Sequence, residues 1–235
     1  MTCLVMQSRG EYRSARRILR RRGLSFLPPL YCRLPVARRY YRGKGIGDIR
    51  KSWDVLWMLE RIKEFGPDAR VLDMGAYRSE LMAALVKSGV SDATGIDLDF
   101  PTGTGGAGGI YVKGDMMATP FDDDSFDVIT SVSVIEHGFD ASRLFAEVSR
   151  LLRPGGVFLA SFDYWPEKID TSATPLFGLP WNIFSSEEVE TLLKSARSFG
   201  LRTTGNVDLA ARQPTINFEG RRYTFGLLEV QKMVA

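Results

Sequence analysis

The sequence predicts a doubly wound α/β fold, a mostly parallel sheet with helices on both faces. Three observations predict it. From residue 70 onward, short apolar runs alternate with helical stretches. Several of the runs end at a glycine or an acid, as strands entering tight turns do. The chain has 235 residues, 44% hydrophobic and 25% charged, enough for one sizeable core.

The elements follow in order. Trp53, Leu56, Trp57, Leu59 and Ile62 recur at helical spacing, which predicts a helix over 52–65 ending before Gly66-Pro67. Residues 71–75 read as a strand entering a turn, and 81–87 as a helix closing at Gly89. A second strand is expected at 93–98 and a third at 110–113, joined by the glycine-rich stretch 103–109. That stretch lacks the Lys-Ser/Thr of a phosphate loop and reads as a connection. The apolar run 126–132 is a fourth strand. A helix over 141–152 stops at Pro154-Gly155-Gly156, and 157–162 is a fifth strand. Ser185 with Glu187 and Glu188 opens a helix over 185–199, and 223–230 is the last strand.

Composition removes several chemistries. Cys3 and Cys32 cannot build a disulfide framework or a zinc site, and a single histidine leaves Ser-His-Asp schemes without parts. No apolar run reaches the length of a membrane span, so a soluble, cytoplasmic protein is the expectation. The net charge of +3 is uneven. Residues 1–50 hold 13 bases against Glu11 and Asp48, whereas the remainder nets −8. This divides the chain into a basic N-terminal arm over 1–50, a candidate substrate cap, and a main domain over 51–235. Three readings of the arm stay open: a solvated tail, a phosphate-contacting segment, and an Arg-rich targeting peptide. A secretory signal is not among them, since no apolar stretch follows the charges.

In open α/β sheets, ligands bind beyond the carboxyl ends of the strands. Four such ends carry suggestive residues: Asp73-Met74-Gly75-Ala76-Tyr77, Gly95-Ile96-Asp97-Leu98, Gly114-Asp115-Met116, and Ser131 through Glu136-His137. A carboxylate can accept both hydroxyls of a ribose. An acid followed by a backbone N–H can read an adenine edge, and a glycine turn lets backbone approach a ligand. Strand-end acids also cap helices, so only the set of four in this order is specific.

These residues give the sequence a resemblance to the class I S-adenosylmethionine-dependent methyltransferases, in particular their small-molecule branch. It is carried by Val71-Leu72-Asp73-Met74-Gly75, Gly95-Ile96-Asp97, Pro120-Phe121-Asp122-Asp123-Asp124-Ser125-Phe126-Asp127, Ile135-Glu136-His137 and Leu152-Arg153-Pro154-Gly155-Gly156. It covers roughly residues 52–230 and implies a Rossmann-like seven-stranded sheet with S-adenosyl-L-methionine as cofactor. The resemblance places Asp73, Gly75, Ala76 and Tyr77 along the methionine moiety, Asp97 and Leu98 at the ribose, Asp115 and Met116 at the adenine, and Ser131 at the methionine end. One departure stands out. The family commonly has glycines where this chain has Tyr77 and Ser79, so a wider loop with Tyr77 packed beside the methionine chain is expected.

His137, just past the fourth strand, is the candidate general base for a hydroxyl acceptor, against the plainer reading of a helix-start histidine. The acceptor pocket is expected from residues 40–47 and from the aromatic, proline-rich insertion over 163–182. The leading function is methyl transfer to a small molecule, such as a sugar or glycan precursor. An RNA methyltransferase using the Arg-rich arm and a non-catalytic binding module are the alternatives. Against RNA, the body is acidic and no Asn/Asp-Pro-Pro-aromatic tetrad follows the fourth strand.

Overall fold

The computed structural model describes residues 3–25, 48–99, 109–176 and 178–234. The expected pocket contribution of 40–47 and most of the glycine-rich stretch lie outside the described residues.

The main domain follows the expected order. Helix α2 (Ser52–Lys63) leads to β2 (Arg70–Met74), α3 (Leu81–Lys87), β3 (Asp92–Asp97) and β4 (Ile110–Lys113). Strand β5 (Phe126–Val132), α4 (Ala141–Leu151), β6 (Leu152–Tyr164) and α5 (Ser186–Ser198) come next, and β9 (Arg221–Lys232) closes the chain. Two short strands, β7 (Leu201–Arg202) and β8 (Ile216–Phe218), pair with β9. Helix α5 begins with a full capping box between Ser185 and Glu188, the arrangement its sequence announced. The Pro-Gly-Gly stretch is not a gap between elements. It bulges inside β6, where the register with β5 jumps from Phe126/Leu152 to Val128/Val157.

Strands β4, β3, β2, β5 and β6 are parallel neighbours in that order, and β9 adds antiparallel to β6. The order reverses between β2 and β5, since one half of the sheet is built outward from β2 and the other from β5. The strand tips on either side of this switch define a crevice. One face of the sheet packs α2 and α3 around Val71, Val128 and Leu159. The other packs α4 and α5 around Leu72, Ile129 and Phe158.

The arm departs from expectation. Its start is an edge strand, β1 (Cys3–Val5), paired antiparallel to β9 through Cys3↔Leu228 and Val5↔Gly226. Helix α1 (Arg9–Arg21) then packs on α2 and buries Tyr12, Ala15, Arg16 and Leu19. The first 25 residues are therefore built into the sheet and its core rather than appended to them. The apolar positions 12, 15 and 19 trace a helical face that the surrounding arginines obscure in the sequence.

Candidate functional site

The first tip of the crevice is β2. Gly75 takes a left-handed conformation at φ +78°, and a Cβ there would come within 2.3 Å of Val134 Cγ2. Only glycine meets both demands, and it turns the chain into a single 3₁₀ turn at Ala76–Arg78. That turn is tied to the neighbouring tip. The Gly75 N–H donates to the Ile96 carbonyl at 2.9 Å, and the Tyr77 N–H to Asp97 Oδ2 at 3.1 Å. Gly95 lets the turn press close, since a Cβ on it would lie 2.7 Å from Ala76 Cβ. The loop thus accommodates Tyr77 without the missing glycines, and the Tyr77 side chain packs half-buried on the core.

Asp97 and Asp115 end adjacent parallel strands. Their tips are stitched by the Gly114 N–H, which donates to the Asp97 carbonyl at 2.9 Å. Asp97 Oδ1 also accepts the Asp99 N–H at 3.0 Å. Asp115 Oδ1 accepts the Met117 N–H at 2.8 Å, and Oδ2 pairs with Arg143 at 3.4 Å. Each oxygen holds one partner, which leaves a carboxylate with lone pairs to offer. Leu98, beside them, is 67% exposed, a large apolar surface open to a ligand face. Met116 is half-buried against the opposite layer of the core.

Asp73 lies fully buried on the first face. Its Oδ1 accepts the Thr130 hydroxyl at 2.8 Å, while Oδ2 has no hydrogen-bond partner. Burial pushes its carboxyl up to about 6, with the Ser79 and Thr130 hydroxyls opposing. Ser131 pairs with Met74 at the end of β2, and because side chains alternate along β5 its side chain shares the face of Ile129 rather than that of Asp73.

A second constellation, absent from the sequence reading as a group, gathers at the tips of β5 and β6. Lys51, at the start of α2, donates to the Ser133 hydroxyl, sits 3.4 Å from Asp54 Oδ2 and lies 4.1 Å over the Phe225 ring. Asp54 is fully buried and also accepts from the Ser161 hydroxyl at 3.0 Å. Asp163, at the end of β6, accepts the Trp181 indole N–H at 2.8 Å. Glu136 is 2% exposed, and its Oε2 has no hydrogen-bond partner. The Lys51 ammonium contacts one of these three buried carboxylates, Asp54, and feels the charge of all three. Burial raises Asp54, pushes Asp163 up to about 6, and together with Asp163 drives Glu136 well above the usual carboxylate range. His137 stands beside them, shifted down by burial and by Lys51, with the Pro180 carbonyl opposing. Ser133, also here, has φ +52°, a strained value for a non-glycine residue.

A signal for this cluster existed. Asp54, Met58 and Ile62 recur at i, i+4 and i+8, which puts an acid on the buried face of α2. The insertion, by contrast, presents fewer aromatic faces than its composition promised. Trp181 is buried edge-on against Phe218 and Tyr223.

Residues 72–160 match the family described as a methyltransferase domain. An uncharacterised methyltransferase of Mycobacterium marinum is 31% identical over 159 residues, covering 65% of this chain and 61% of that protein. The chain thus spans about three fifths of the length of that relative. Among solved structures, the Burkholderia thailandensis 1,6-didemethyltoxoflavin-N1-methyltransferase, bound to 1,6-didemethyltoxoflavin and S-adenosylhomocysteine, is similar with a TM-score of 0.54. Its identity is 19%, and the match covers 74% of this chain and 76% of that one. The cyclase SpnF is similar with a TM-score of 0.59 and 16% identity, over 80% of this chain and 85% of its own. Such distant likenesses speak to the fold alone.

Proposed function

We propose that this chain, residues 72–160 of which match a methyltransferase domain, is a class I S-adenosylmethionine-dependent methyltransferase that transfers a methyl group from S-adenosylmethionine to a small-molecule acceptor. The observation that carries the reading is the pair of acids at adjacent tips, Asp97 and Asp115, joined through Gly114.

The residues fit the cofactor. Asp97 would accept the ribose hydroxyls, Leu98 would cover an adenine face, and Asp115 with the Met116 backbone would read the adenine edge. Asp73 supplies a buried carboxylate with an unpartnered oxygen, suited to an ammonium group, beside the Gly75–Tyr77 backbone. When bound, the cofactor supplies an activated methyl carbon on a sulfonium. The chain's part is to align a nucleophile with it and exclude water, which positioning makes worth several kcal/mol. The buried cluster of Lys51, Asp54, Glu136 and Asp163 would hold the acceptor's polar atoms. His137 is the base for a hydroxyl acceptor: its downward shift keeps the imidazole neutral, and able to take a proton, near pH 7. A sugar or glycan precursor is one acceptor within this class. A cytoplasmic location belongs to the same reading.

The test is calorimetric titration with S-adenosylhomocysteine. One site per chain is expected, and Asp97→Asn should weaken it roughly 100-fold, the loss of charge-assisted hydrogen bonds to two hydroxyls. No binding by the native chain would overturn the reading. Transfer of labelled methyl across a panel of hydroxyl, amine and ring-nitrogen acceptors then assigns the substrate.

A further inference from the structure

The outer face of α1 has no role in the chemistry above. Arg13, Arg17, Arg20 and Arg21 are all exposed, opposite the buried Tyr12, Ala15, Arg16 and Leu19. Their spacing of i, i+4, i+7 and i+8 sets them in one stripe, with steps of about 6 Å between successive turns. None of these four has an acidic partner among the described residues, whereas the next arginine, Arg22, pairs with Glu60. Arg20 and Arg21 lie in the last turn, where cations complement the helix dipole. Arg13 and Arg17 lie mid-helix, where like charges four apart repel and no acid among the described residues pairs with them. At the end of the stripe, a cavity of about 190 Å³ is lined by Arg22, Lys63 and Lys87 together with Leu24, Leu59 and Ser88, so three helices converge bases there.

We infer that this face docks the phosphate backbone of a nucleic-acid strand, independently of base sequence. Guanidinium forks match phosphate oxygens bidentately, and arginine rather than lysine fills every position of the stripe. The exposed face carries no aromatic side chain on which bases could stack, so recognition rests on the backbone. The stripe is one helix wide, and the chain beyond residue 50 nets −8. A narrow polyanion lying along α1 avoids that acidic body, whereas a flat anionic lipid surface would press against it. The face also lacks apolar side chains to enter a bilayer. The helix runs away from the strand tips: Val5, just before it, is level with the end of β6, and Arg22 reaches Glu60 near the end of α2. Docking is thus separate from methyl transfer, and its test does not depend on that reading.

The experiment is fluorescence anisotropy of fluorescein-labelled 20-nucleotide single strands, RNA and DNA, with the full chain. Four neutralised phosphates predict roughly 50-fold weaker binding at 200 mM than at 50 mM salt. Arg13→Gln/Arg17→Gln should remove about half of the logarithmic salt slope while leaving the circular dichroism spectrum unchanged. Binding to RNA and DNA of unrelated sequences with similar affinity is expected. Absence of salt-dependent binding would overturn the inference, as would a variant that binds like the native chain. Arginine-dependent capture by phosphatidylserine vesicles with no binding to either strand would also overturn it, in favour of a membrane surface.

Discussion

Replacing Lys51 with methionine removes the ammonium from the buried cluster while keeping most of its side-chain volume. Lys51 Nζ lies 3.4 Å from Asp54 Oδ2, with side-chain exposures of 25% and 0%. Removing one partner of a fully buried pair costs about 3–5 kcal/mol, and the partial exposure of Lys51 lowers that to about 2–3 kcal/mol. For a chain of this size, the melting temperature should fall by about 5–10 °C at pH 8. The deficit depends on pH with a definite sign. Burial already raises the folded Asp54 pKa, and without Lys51 it rises further. A raised carboxyl contributes stability that is present below its unfolded pKa of about 4 and lost as pH climbs through the folded value. The variant's deficit should therefore be largest at pH 8 and shrink toward pH 5. Urea unfolding at pH 5, 6.5 and 8 measures it, and Lys51→Met/Asp54→Asn should regain most of the loss. A variant within 0.5 kcal/mol of native at pH 8, or a deficit indifferent to pH, would refute the account of the cluster.

Three further outcomes follow from the same geometry. Gly75→Ala meets both the positive φ and the 2.3 Å approach to Val134, and should cost about 2 kcal/mol or more along with S-adenosylhomocysteine binding; adding Val134→Ala should relieve the clash but not the backbone strain of about 1 kcal/mol. Asp73→Asn removes a carboxyl held at about 6, so the stability that the native chain loses between pH 4 and 7, up to about 3 kcal/mol, should largely vanish from the variant's pH profile. His137→Ala should lower turnover of a hydroxyl acceptor at least tenfold with S-adenosylhomocysteine affinity unchanged; equal turnover would return His137 to a structural role.

The strands of the main domain were readable because each is a short apolar run punctuated by glycine or acid. Residues 110–113 and 126–132 match β4 and β5 at both ends. The capping box at Ser185 fixed the start of α5 for a local reason, one hydroxyl and one carboxylate satisfying two N–H groups. The tip acids Asp73, Asp97 and Asp115 were legible too, since a strand's end and its next residue are neighbours in sequence. The side of the sheet that Ser131 faces was not legible in the motif, because the period of two along β5 decides it. The strand at Cys3–Val5 escaped notice because three residues among many arginines carry no pattern of their own, and only β9, more than 200 residues away, gives them a partner.

The order of the elements, the turn glycine at position 75 and the acids at the tips are local properties, set by neighbouring residues and fixed by the sequence itself. Which acids share a buried site with Lys51 is not. Asp54, Glu136 and Asp163 come from three separate elements, and only the parallel register of β5 with β6 and the packing of α2 across them bring the three carboxylates to one ammonium. Their shifts arise from the water excluded there, a property of the assembled interior that belongs to no stretch of chain alone.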